Sequence, residues 1–106
     1  MRVALAVFLV VHGLIHLVGT AKAFGWADLP QLTRPISPAL GAAWLLTAIL
    51  FVAAAAALFV WPQGWWLIGL CAVVVSTVVI VPSWTDAKVG ALANIIVLLA
   101  MRWRPM

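Results

Sequence analysis

Val3–Ala21 reads VALAVFLVVHGLIHLVGTA, an uncharged stretch interrupted only by His12, His16 and Thr20. As a helix rising 1.5 Å per residue it covers about 28 Å, close to the hydrocarbon thickness of a bilayer of about 30 Å. It is long for the apolar region of a secretory leader, so it reads as a span, although Arg2 and Ala21-Lys22-Ala23 imitate the flanks of one. Three more stretches follow: Ala39–Val60, Trp65–Val81 and Asp86–Met101, the last with its apolar heart beginning at Val89. Continuous apolar runs exclude the alternating pattern of a membrane barrel, and lipid forces such segments to be helical because unpaired backbone groups have no water to bond.

The whole chain agrees with this reading. Of its 106 residues 68% are hydrophobic and 8% charged, against the quarter or so of charged residues in a soluble domain. The expectation is an all-α, four-transmembrane-helix bundle forming one integral membrane domain over residues 1–106. Its first loop is long, and a tight hairpin at Trp61-Pro62-Gln63-Gly64 joins spans two and three. Ser37-Pro38 reads as an N-cap followed by proline in the first helical turn. Pro82 ends or kinks the third span, and Ser83-Trp84-Thr85-Asp86 resembles a capping box. A short interfacial helix is expected at about 27–32. Trp61, Trp65, Trp66 and Trp103 form one interfacial belt, and Trp26 and Trp84 form the other, with Trp44 deeper.

The net charge of +4 comes from scattered cations, Arg2, Lys22, Arg34, Lys88, Arg102 and Arg104, all outside or at the ends of the apolar stretches. That is how a membrane protein places charge, and it argues against nucleic-acid binding. The cations divide evenly between the two sides. Direct flanking of spans by Arg2 and the C-terminal pair favours cytoplasmic termini in a bacterial inner membrane. Cys71 is the only cysteine, so no internal disulfide forms. No soluble catalytic motif occurs, which favours a non-enzymatic role, and no cofactor is called for.

Chemistry concentrates on His12 and His16, four residues apart and therefore on one helical face. Polar groups at membrane depth are costly and face protein or water. Three readings stand open: interhelical hydrogen-bond glue, a proton or polar-ligand site, and metal or haem ligation by His12 and His16. A metal would need further ligands, and a membrane haem takes histidines from two helices.

Depth sharpens the picture. From the side bearing the first and third loops, His16 lies roughly 8 Å and His12 roughly 13 Å in. Trp44 and Thr47 fall at roughly 8 and 12 Å, Ser76 and Thr77 at roughly 6–8 Å, and Asn94 at roughly 10–12 Å. One leaflet thus holds the polar side chains, which predicts a pocket or hydrogen-bond network opening toward the long loop. Lys22, Asp28, Asp86 and Lys88 would stand at its mouth. Asp86 is also a candidate to clamp Lys22 or Arg34 by a salt bridge. Ala53/Ala57 and Ala87/Ala91 have the small-xxx-small spacing that lets helices approach closely.

With H-x-x-x-H (His12, His16), K-A-F-G (Lys22–Gly25), P-I-S (Pro35–Ser37) and W-x-D-A-K-x-G (Trp84–Gly90) plus Asn94, the chain resembles an uncharacterised bacterial four-helix integral membrane family. His12-Gly13 followed by Lys22 is also similar to DoxX-like proteins, a resemblance that implies redox- or quinone-related roles. In size and span count the chain is similar to small multidrug-resistance transporters. Those carry an essential glutamate in the first span, and this chain has no glutamate.

Three functions are therefore carried forward. The first is a non-enzymatic accessory or binding subunit of a membrane complex, in which the His layer holds a partner, polar small molecule or proton. The second is a proton-coupled transporter acting as a dimer, and the third a redox-associated subunit binding haem, metal or quinone. Four helices enclose little volume, so a homo-oligomer or larger membrane complex is expected.

Overall fold

The computed structural model describes residues 2–26 and 36–101, apart from the side chain of Asp86. The expected helix at 27–32, and Asp28, Arg34 and the Asp86 carboxylate with the roles suggested for them, lie outside the described residues. Within them the chain is all-helical. Helices α1 (Arg2–Ala23), α2 (Pro38–Val60), α3 (Trp65–Ile80) and α4 (Trp84–Ala100) follow in order, with a 3-10 turn, Val81–Ser83, between α3 and α4. Three are long and apolar enough to cross a membrane: α1, α2, and α3 extended through Ser83. The fourth is a shorter apolar helix. The long axis measures 42 Å, matching the 40–45 Å or so of a bilayer with its headgroups.

Local chemistry explains the ends. Ser37 is extended and its Oγ accepts the Leu40 N–H at 3.2 Å, with Pro38 beginning the helix. At the C-terminus of α1 the Trp26 N–H bonds Ala21 O (2.9 Å) and the Gly25 N–H bonds Lys22 O (3.2 Å), while Gly25 sits at φ +68°. This is a Schellman stop, which favours glycine because a Cβ is strained at positive φ. The K-A-F-G stretch is thus the end of a helix, with Phe24 and Trp26 stacked outside it at 5.5 Å. Ser83 departs from expectation and makes no side-chain cap. The 3-10 turn holds it at φ −109°, ψ 27°, away from the extended backbone an N-cap requires.

Packing is uneven. Helix α1 lies against α2 along most of its length, α2 packs on α3 and α3 on α4, whereas α1 and α4 meet over only a short stretch. Close approach of α1 to α2 comes from glycines. A Cβ on Gly13 would lie 2.7 Å from Phe51 Cβ, and one on Gly19 would lie 2.5 Å from the Trp44 indole. Thr20 ties the same pair together by donating to Gly41 O at 3.0 Å.

Two apolar clusters result. The larger, around Leu9, Phe51, Leu58, Trp65, Val73 and Val97, fills the end bearing the α2–α3 hairpin. The smaller, Trp44, Val79 and Ile80, lies toward the long loop. Large apolar side chains also cover the outside, including Val7, Val11, Ile49, Val74 and Leu92, a surface of the kind suited to lipid. The tryptophans differ in burial. Trp26, Trp61 and Trp84 are exposed, but Trp65 is fully buried beside Gly69 and Met101, because its position at the start of α3 faces the bundle.

Candidate functional site

Between the two apolar clusters lies a layer of polar side chains from three helices. His12 (6% exposed), His16 (2%), Ser76 (0%) and Asn94 (3%) are all buried. His16 Nδ1 is 2.7 Å from His12 O, and His16 Nε2 is 2.7 Å from Ser76 Oγ. Asn94 Nδ2 is 2.9 Å from Ser76 Oγ, and Asn94 Oδ1 is 2.8 Å from His12 Nε2.

The proton positions follow from one fixed point. A carbonyl can only accept, so His16 Nδ1 carries a hydrogen and donates to His12 O. An unpaired charge in a site this buried is costly, so the ring is neutral and its Nε2 is a bare acceptor. Ser76 therefore spends its hydrogen on His16 Nε2 and must accept from Asn94. That orients the Asn94 amide with its NH2 toward Ser76 and its oxygen toward His12, so His12 Nε2 is the protonated nitrogen. The bonds close into a head-to-tail ring: His12 to Asn94, Asn94 to Ser76, Ser76 to His16, and His16 back to the His12 carbonyl. Each member polarises the next. The two histidines hold opposite tautomers, and His12 Nδ1 is left as a bare lone pair with no hydrogen bond among the described residues.

Aromatic rings hold the imidazoles in place. Phe51 lies 4.7 Å from the His12 centroid and 5.4 Å from that of His16. Trp44 lies 5.2 Å from His16, and the two imidazoles meet edge-on at 4.8 Å.

Beside the ring, where α1 and α4 diverge, is a cavity of about 250 Å³. His12, Ile15, His16 and Gly19 supply its α1 wall, and Ala87, Gly90 and Ala93 supply the α4 wall. Trp44, Ile36, Ile80 and Ser83 close the end toward the long loop. Its lining includes the surface-reaching Ile15 (60% exposed), Val18 (37%) and Val89 (74%), so it opens between α1 and α4 onto the apolar outer surface. The Trp44 indole N–H is buried without a hydrogen-bond partner among the described residues, an uncommon state for a buried donor.

The polar residues singled out from the sequence separate into distinct settings. His12, His16, Ser76 and Asn94 share the ring, and Trp44 lines the cavity beside it. Thr47 is buried but donates to its own helix, to Ala43 O at 2.8 Å. Thr77 does likewise to Val73 O at 2.8 Å, and reaches Asn94 only at 3.4 Å. Hydroxyls four residues beyond a carbonyl are commonly spent in this way. Lys22 and Lys88 do not line the cavity, whose rim is apolar. Cys71 is exposed on α3, away from the histidines.

Sequence reasoning missed Gly19, Gly90 and Ile80. The small residues make room, and the signal for them was a glycine within a polar-faced helix. Among the described residues no three His, Cys, Asp or Glu side chains converge as a metal site would require. No protein-family model, curated protein or solved structure matches the chain.

Proposed function

We propose that the protein is a small non-enzymatic integral membrane binding protein. Its ligand enters the α1–α4 cavity from the lipid phase and sets its polar end against the His12/His16 layer. The observation that carries this reading is the juxtaposition of a cavity open toward acyl chains with a hydrogen-bonding floor. Ligand sites typically combine apolar walls with a few convergent polar groups in this way.

The chain crosses the inner membrane four times, with both termini cytoplasmic. At 17 residues α4 covers about 26 Å, a slightly short crossing with the exposed Trp84 at its start. Membership in a homo-oligomer or a larger membrane complex, as an accessory subunit, is part of the proposal. The transport and redox readings draw less support, because three of the four imidazole nitrogens are spent in the ring. One nitrogen remains for a proton or a metal.

The test compares wild type with Ala93→Phe, which fills the cavity without touching the ring. Both are extracted in native-membrane particles and their retained lipids quantified by mass spectrometry. A species held near one per chain by wild type and lost from the variant supports the reading. Indistinguishable lipid profiles refute it.

A further inference from the structure

We infer that the ligand of this cavity is a neutral amphiphile bearing a hydroxyl, an alcohol or a phenol, whose O–H donates to His12 Nδ1. This rests on the proposed binding function and names the chemistry of its ligand. The ring spends every donor that His12, His16, Ser76 and the Asn94 amide direct at one another, and the fixed His12 carbonyl makes its direction unambiguous. His12 lines the cavity, and what the ring leaves over on its imidazole is a lone pair, which selects a hydrogen-bond donor. Ethers, ketones and esters only accept, and find no donor in the ring.

A hydroxyl is a compact neutral group able to donate to Nδ1. Among the described residues neither Lys nor Arg lines the cavity, which favours a neutral headgroup over an anionic one. At about 250 Å³ the space falls below the roughly 300–1,000 Å³ of a site that encloses a whole drug-sized ligand. It fits the head of a molecule whose tail leaves between Ile15 and Val89 into lipid.

The test uses the full chain in phosphatidylcholine nanodiscs and three photoactivatable probes of equal length: a long-chain primary alcohol, its methyl ether and an alkyl phenol. Wild type is expected to crosslink the alcohol or the phenol at about tenfold lower concentration than the ether, the worth of one buried hydrogen bond. Whichever hydroxyl probe is preferred identifies the source. His12→Gln keeps a side-chain N–H near the Nε2 position for Asn94 but has no Nδ1, so the preference should fall to about onefold.

The wild-type ratio decides the matter even if that variant does not fold. Equal labelling by hydroxyl probes and ether, lost in Ala93→Phe, overturns the hydroxyl assignment and leaves cavity binding intact. Labelling of wild type no greater than that of Ala93→Phe with all three probes overturns the binding function itself.

Discussion

Replacing Asn94 by leucine should expose how far the polar layer acts as one unit. The substitution removes bonds of 2.8 Å to His12 and 2.9 Å to Ser76, and a marginal 3.4 Å contact to Thr77. Interhelical hydrogen bonds in membranes average about 0.6 kcal/mol each, so the two short bonds account for about 1.2 kcal/mol. Stranding the His12 Nε2–H in a buried site adds about 1 kcal/mol. The expected loss is about 2 kcal/mol.

His16→Phe should cost a similar amount, by freeing Ser76 Oγ and the His12 carbonyl. No hydrogen bond joins Asn94 to His16 directly; their connection runs through Ser76. A closed ring therefore predicts that the double variant loses less than the two single losses added together, by about 1 kcal/mol. Reversible unfolding in mixed micelles with increasing dodecyl sulfate, followed by helical circular dichroism, gives the three energies. Additivity within about 0.5 kcal/mol would show two independent bonds instead of a ring.

Other perturbations separate neighbouring parts of the account. Gly19→Val places a Cβ inside the contact with the Trp44 indole, so it should destabilise by about 1–3 kcal/mol in the same titration and shift tryptophan fluorescence. Thr77→Val should change stability by less than about 0.5 kcal/mol, because its hydroxyl mainly serves its own helix. A loss comparable to that of Asn94→Leu would bring Thr77 into the ring. Cys71 is exposed but lies six residues into α3, about 9 Å from its start. A membrane-impermeant maleimide should leave it unlabelled in bilayers and react after denaturation in detergent, and rapid labelling in intact bilayers would contradict its position in hydrocarbon.

The helices and the meeting of His12, His16, Ser76 and Asn94 in one layer were legible in the sequence, because uninterrupted apolar length and residue counting both follow from helical rise. His12, His16, Ser76 and Asn94 could be put at one level by that count. It could not tell them from Thr47 and Thr77, since a hydroxyl in a helix can turn back on its own carbonyl as easily as reach across. The direction of the ring was equally hidden, because it depends on which imidazole nitrogen faces which partner. The burial of Trp65 was hidden because position at a helix end says nothing of azimuth. The cavity arises from divergence of α1 and α4, a property of packing between helices distant in sequence. Ala87, Gly90 and Ala93 mark it only once that packing is known.

The ring's polarity, and with it the free acceptor at the cavity wall, is tested most directly by nitrogen-15 NMR of histidine-labelled protein in bilayers, with His12→Gln used to assign the two rings. The account predicts neutral imidazoles in opposite tautomers, the proton on Nε2 in His12 and on Nδ1 in His16. Matching tautomers, or an imidazolium at either position near neutral pH, would contradict it.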